Sequence, residues 1–280
     1  MKSSLPILFR LLVLVCPITI WSQSILSASA VEISAPVPAF NYVKLKGSDD
    51  VNVQYYLTTA LAVAAGYDHD TAISVGLYNQ LLDDQRKTSS SPWLNFKARR
   101  QYHFTSAKQR EKLWSQFETS PEIPKLSMYL HALQDSVYHQ GFGWVLGHLL
   151  KGHKPDQSWL AHNFAKNKEV TRLTYLKLLE AAPLLQQRGA VVQFESISAE
   201  AADFLQAASE IEKGQNFRAL CHRITAANTT ENVLLRRIQQ AMTTYESNPE
   251  FRAQLLINPA DCFARLKLAT FKASGLMKLN

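Results

Sequence analysis

From residue 49 onward this chain is a succession of apolar stretches bracketed by helix start and stop signals, and only residues 189–194 read as a strand. One strand has nothing to pair with, so the sequence predicts an all-α fold, a multi-helix bundle. Asp49 and Asp50 can cap a segment through Tyr55, Tyr56, Leu57, Leu61 and Val63, which stops at Gly66 as a helix C-terminus does. Asp70 opens a second helix through Ile73, Leu77, Leu81 and Leu82, and Arg86 to Ser91, before Pro92, reads as a loop. Ser106 with Gln109 three residues on forms a capping box. Pro124 suits the first turn of a central helix carrying Leu126, Leu130, Leu133 and Val137, which breaks at Gly141 and Gly143. A short segment ending at Gly152 follows, then a long helix from about Trp159 to Arg188. The C-terminal third is expected to hold three helices, signalled by Ser198, by Thr230, and by the pairs Asn248-Pro249 and Asn258-Pro259.

Hydrophobic residues make up 46% of the 280, which excludes a disordered or fibrous chain. The N-terminus has its own pattern: Lys2 and Arg10, an apolar core from Leu11 to Trp21, then Ala28-Ser29-Ala30. That is the layout of a secretory signal peptide over residues 1–30, so a periplasmic or secreted protein beginning at Val31 is expected. Cys16 falls inside the leader, and Leu14-Val15 before it lacks the small residues of a lipid-anchor signal. Cys221 and Cys262 remain, either as one disulfide or as two buried thiols. Without Lys2 and Arg10 the 30 basic residues become 28 against 23 acidic ones, a net +5. This mild excess suits anionic substrates. No basic block interleaved with aromatics supports sequence-specific nucleic-acid binding.

Chemistry concentrates in the histidines. Seven of the eight lie between residues 69 and 162, and five between His131 and His162. His131 and Asp135 are one helical turn apart, and His139 falls about 80° round from His131 at ~100° per residue. Imidazole and carboxylate are ligands zinc accepts, and positions four apart let two reach one ion. Beyond the glycines, His148 and His153 can approach the same pocket. Upstream, Asp83 and Asp84 end a helix, where acids oppose its dipole and a cation would offset the cost; His103 lies just before the Ser106 cap. His69, His162 and His222 lack this setting and are not assigned to the site. Neither a Gly-x-Ser-x-Gly turn nor a phosphate-cradling glycine loop competes with metal chemistry.

His131-x-x-x-Asp135 with Ser136, His139, Gly141-Phe142-Gly143, Gly147-His148 and Gly152-His153-x-Pro155-Asp156, together with Tyr55-Tyr56-Leu57-Thr58 and Ala64-Ala65-Gly66-Tyr67, resembles bacterial relatives of the zinc-dependent phospholipase C and single-strand nuclease superfamily. The resemblance covers about residues 50–185 and leaves 190–280 unexplained. It implies a helical phospholipase C-like domain over 31–190 with a zinc cluster in a cleft between helices; the helix signals make residues 191–280 a C-terminal helical extension of the same domain. The implied ligands are Asp83 or Asp84, His103, His131, Asp135, His139, His148 and His153, with Asp156 as a further candidate, and Asp135 as the bridging carboxylate. Superfamily enzymes also use the mature amino terminus and a nearby His, whereas Val31 lies well ahead of the first helix and Gln54 stands where related sequences can carry His.

The expected activity is that of an exported zinc phosphoesterase holding two or more ions, with His131 and Asp135 at its catalytic centre. Two ions about 3.5 to 4 Å apart would acidify a shared water and deliver hydroxide in line to phosphorus. The expected substrate is a phospholipid or another phosphodiester, and a phospholipid would bring peripheral membrane contact. The rival expectation is a catalytically degenerate relative that binds a metal or a partner; a nuclease ranks below both for want of a basic, aromatic-rich groove.

Overall fold

The helix beginning at His69 is buried on every side: each residue from Ala72 to Leu82 is withdrawn from solvent. A helix buried all round belongs at the centre of its bundle, and the helices Thr58–Ala64, Ile123–Tyr138 and Glu231–Ser247 pack against it. The structure is a computed structural model, and it describes residues 40, 42, 52–84, 95–140, 157–225 and 231–265. The signal-like segment, the Asp49-Asp50 cap, the Arg86–Ser91 loop, Gly141, Gly143, Gly152 and Thr230 lie outside the described residues.

A π-helical stretch, Asn52–Leu57, runs directly into α1, Thr58–Ala64. After the turn at Gly66 comes α2, His69–Asp84. A short α3, Phe96–Ala98, winds into a π-helical turn, Arg99–His103. Then follow α4, Ala107–Thr119, and α5, Ile123–Tyr138. A 3-10 turn, Ala161–Asn163, leads into α6, Phe164–Ala181. The chain continues with α7, Ser198–Gln206, α8, Glu210–Thr225, α9, Glu231–Ser247, and α10, Pro249–Ile257. The described residues form helices, turns and extended connections with no strand, which is the all-α architecture expected from the sequence. Among them, no helix is long and apolar enough to cross a membrane.

α2 and α5 pack along each other; α1 and α9 also lie on α2, and α4 and α6 on α5. The close approach of α1 depends on Gly76, where an added Cβ would fall on Thr59 Oγ1 and within 2.9 Å of the Tyr55 carbonyl. Gly66 turns the chain with φ at +90°, a conformation glycine adopts without steric cost.

Several local signals act as the sequence predicts. Ser106 caps α4 by accepting from Gln109 N at 3.2 Å, Asn248 caps α10 by accepting from Phe251 N at 2.9 Å, and α5 carries Pro in its first turn. Others need correction. The long helix expected over 159–188 is shorter, because Leu160 is extended before the 3-10 turn and residues 182–186 form turns around Pro183, with Gln186 at φ +58°. The segment 189–194 is not a strand: Gly189 N donates to Gly66 O and Val192 N to Ala64 O, so it lies along the end of α1. Among the described residues the C-terminal third holds α7, α8, α9, α10 and a further helical segment over 259–265 rather than three helices: Ser209 and Glu212 form an additional capping pair at the start of α8, and Asn258 accepts from Asp261 N at 3.3 Å at the start of the last segment. One buried cluster runs from Leu57 and Leu61 through Phe204, Phe217 and Met242 to Leu255, so the core is continuous across residue 190. Cys221 and Cys262 are both buried and form no disulfide with each other.

Candidate metal centre

Three side chains from separate elements converge at the C-terminal end of α2. Asp83 comes from the last turn of α2, His103 from the end of the π-helical turn, and His131 from the middle of α5. His103 is carried there by hydrogen bonds to backbone carbonyls: Phe104 N donates to Arg99 O at 2.7 Å, Thr105 Oγ1 to Ala132 O at 3.2 Å, and the Arg110 guanidinium to Thr105 O at 2.8 Å. The guanidinium of Arg99 lies over the Phe104 ring, 5.0 Å from its centroid. At the far end of α5, Lys166 Nζ donates to Tyr138 O at 2.6 Å, a cation on a helix C-terminus where the dipole favours it.

The donor atoms form a small triangle. Asp83 Oδ1 is 3.5 Å from His103 Nδ1 and 3.6 Å from His131 Nε2, and the two nitrogens are 3.2 Å apart. An ion held tetrahedrally at about 2.0 to 2.2 Å needs donor separations of roughly 3.3 to 3.6 Å. The triangle therefore has the size of one face of such a site. Asp135 Oδ2 flanks it, 2.9 Å from His103 Nδ1 and 3.7 Å from His131 Nε2, and His139 Nε2 lies 3.9 Å from the same oxygen. Two imidazoles with carboxylates suit zinc, and also iron or manganese, by donor chemistry.

Burial and neighbouring charges act on His131 and Asp135 in opposite proportions. Complete burial pushes the His131 imidazole down to about 4, against the pull of Asp135, so it is neutral near pH 7. Burial alone would raise Asp135, but the surrounding imidazoles and the hydrogen bond from His103 outweigh it and hold the carboxyl below the usual range. An ionised carboxylate thus stands beside bare or shareable ring nitrogens, an arrangement that attracts a cation.

The structure separates the sequence candidates. Asp83, His103, His131, Asp135 and His139 come together. Asp84 turns away: its Oδ2 accepts from Tyr245 Oη at 2.7 Å, because neighbours on a helix point about 100° apart. His148, His153 and Asp156 lie outside the described residues.

Sequence reasoning missed a group of polar side chains behind His131. His131 Nδ1 is 3.1 Å from Asn79 Oδ1; Asn79 Nδ2 donates to Gln134 Oε1 at 2.9 Å and to Thr58 Oγ1 at 3.3 Å. Gln134 Nε2 donates to Thr58 Oγ1 at 2.8 Å and Thr174 Oγ1 at 3.2 Å. All five residues are fully buried. The available signal was Asn79 itself, one turn before Asp83 in a run that is otherwise largely apolar. No protein-family model, no curated protein and no solved structure matches this chain.

Proposed function

We propose that the chain is an exported zinc-dependent phosphoesterase acting on a phospholipid or another phosphodiester. The observation that carries this reading is the triangle of Asp83, His103 and His131 donor atoms, 3.2 to 3.6 Å on edge, with ionised Asp135 at its side. In this reading Asp83, His103 and His131 would hold one zinc ion. Asp135 and His139, with His148, His153 and Asp156, would be the residues available to hold a second ion. Zinc so held supplies Lewis acidity toward a phosphoryl oxygen and toward water. The chain's own part is to keep His131 neutral through burial and to hold the His103 ring through its contact with Asp135 Oδ2. The net charge of +5 without the leader favours an anionic substrate, and the signal-like residues 1–30 favour the periplasm or the medium.

A second reading is a metal-binding or partner-binding protein without turnover. It is favoured by the donor set, which among the described residues closes on a single group of three. Metal content and phosphodiester hydrolysis separate the two. Elemental analysis of the exported chain is expected to give two or more zinc equivalents, with release of phosphorylated headgroups or of nitrophenol from a phosphodiester. One equivalent and no hydrolysis would establish the second reading; no metal uptake would sink both metal readings.

A further inference from the structure

The polar group behind His131 has an internal logic that bears on which ring nitrogen carries the proton. It begins at Thr58, whose hydroxyl donates its one proton to Val53 O at 2.8 Å. Everything else touching Thr58 Oγ1 must then be a donor. Two side-chain amides touch it, Asn79 at 3.3 Å and Gln134 at 2.8 Å, so each presents its NH2 group there. The remaining contacts agree with that orientation: the Asn79 NH2 also reaches Gln134 Oε1 at 2.9 Å, and the Gln134 NH2 reaches Thr174 Oγ1 at 3.2 Å. A flip of either amide would set two donors or two acceptors face to face in a region where Thr58, Asn79, Gln134 and Thr174 have no solvent exposure.

With its NH2 committed, Asn79 turns its carbonyl oxygen to His131 Nδ1 at 3.1 Å. An oxygen acceptor there requires a proton on Nδ1. We infer that Asn79, oriented by Thr58 and Gln134, holds His131 in its Nδ1–H form and so keeps Nε2 bare on the side facing Asp83 and His103. The opposite tautomer would oppose two lone pairs at 3.1 Å and point an N–H at the donor triangle. Residues from α1, α2, α5 and α6 meet in this relay, so the packing of the bundle centre sets the readiness of one ligand atom. Asn79 is a positioning residue, since it acts through His131. The inference rests on the metal-centre reading only for its consequence; the tautomer itself belongs to the metal-free chain.

The test uses the full exported chain, stripped of metal and labelled with 15N at histidine, with His131 assigned by the missing signal in His131→Gln. Long-range proton–nitrogen correlation is expected to show a protonated Nδ1 and a bare Nε2 for His131, with Nε2 moving on addition of zinc. Competition with a chromogenic chelator is expected to show Asn79→Leu binding zinc about 10- to 100-fold more weakly. Thr58→Ser, which keeps the hydroxyl, is expected to retain both tautomer and affinity. A proton on Nε2 in the metal-free wild type overturns the inference whether or not Asn79→Leu folds. So does a folded Asn79→Leu with the wild-type tautomer. If the wild type shows the expected tautomer but takes up no zinc, the metal-centre reading fails and the tautomer assignment stands; if it binds zinc with Nε2 protonated beforehand, only the assignment fails.

Discussion

His103 and His131 meet edge to face, their rings at 88° with centroids 4.8 Å apart and Nδ1 of one 3.2 Å from Nε2 of the other. His103 Nδ1 also reaches Asp135 Oδ2 at 2.9 Å, so in the metal-free chain its proton belongs to that hydrogen bond. Uptake of a cation at the triangle must move this proton off Nδ1, for which the neutral imidazole has its Nε2 as an alternative site.

Zinc should raise the melting temperature. At a free concentration about 100 times Kd, a ligand bound by the native state alone adds ~2.7 kcal/mol, or roughly 5 to 10 °C for a domain of this size. Thermal scans with zinc and after chelation measure it. Asp83→Asn and His103→Ala should each abolish most of the difference; a shift preserved in both would place the ion elsewhere.

Asp84 and Asp83 should behave differently although they are neighbours. Asp84 is bonded to Tyr245 at 2.7 Å, while Asp83 Oδ1 faces the two histidines. Asp84→Asn and Tyr245→Phe are therefore expected to leave zinc stoichiometry unchanged and to cost about 1 kcal/mol in urea titrations. Loss of metal in Asp84→Asn with retention in Asp83→Asn would reverse the assignment.

Acid should weaken the junction of α2 with α9. Burial, and then the nearby Arg237 guanidinium, lower the His69 imidazole from its ordinary 6.5, with Asp70 and Asp68 pulling the other way. The folded state thus binds this proton less readily than the unfolded chain. The His69 contribution is full above about pH 6.5 and declines as pH falls from there toward the lowered folded value. Denaturant titrations of wild type and His69→Gln between pH 7.5 and 5 should show the wild type losing more stability; equal losses would contradict it.

Gly76→Ala should loosen the pair α1 and α2. Its Cβ would overlap Thr59 Oγ1 and press within 2.9 Å of the Tyr55 carbonyl, which is backbone and cannot rotate aside. A cost of roughly 1 to 3 kcal/mol is expected, as for overpacked cores. Calorimetry checks it, and a melting temperature equal to wild type would show that α1 has room to shift.

The sequence was most legible where a hydrogen bond spans three or four residues. Ser106 with Gln109 and Asn248 with Phe251 are such pairs, and Gly66 ends its helix segment for reasons carried within one turn. The turn-spaced pair His131 and Asp135 belongs to the same class, since α5 alone sets both on one side. Legibility faded where neighbours are distant in the chain. The start of α8 rests on a short Ser209 and Glu212 pair, and residues 189–194 have the composition of a strand but bond to the end of α1.

By itself, the sequence determined that the chain is helical, where several helices begin and end, and that imidazoles and carboxylates cluster around α5. Tertiary packing was needed to show that Asp83 rather than Asp84 joins His103 and His131, that Cys221 and Cys262 form no disulfide with each other, and that Asn79 stands behind His131. The physical reason is rotation. A cap or an i,i+4 pair is set by the backbone of one helix, whereas the meeting of α2, the π-helical turn and α5 depends on how each helix is turned about its axis. That rotation is set by the packing of the whole core, Gly76 against α1 and Tyr245 against the end of α2 included.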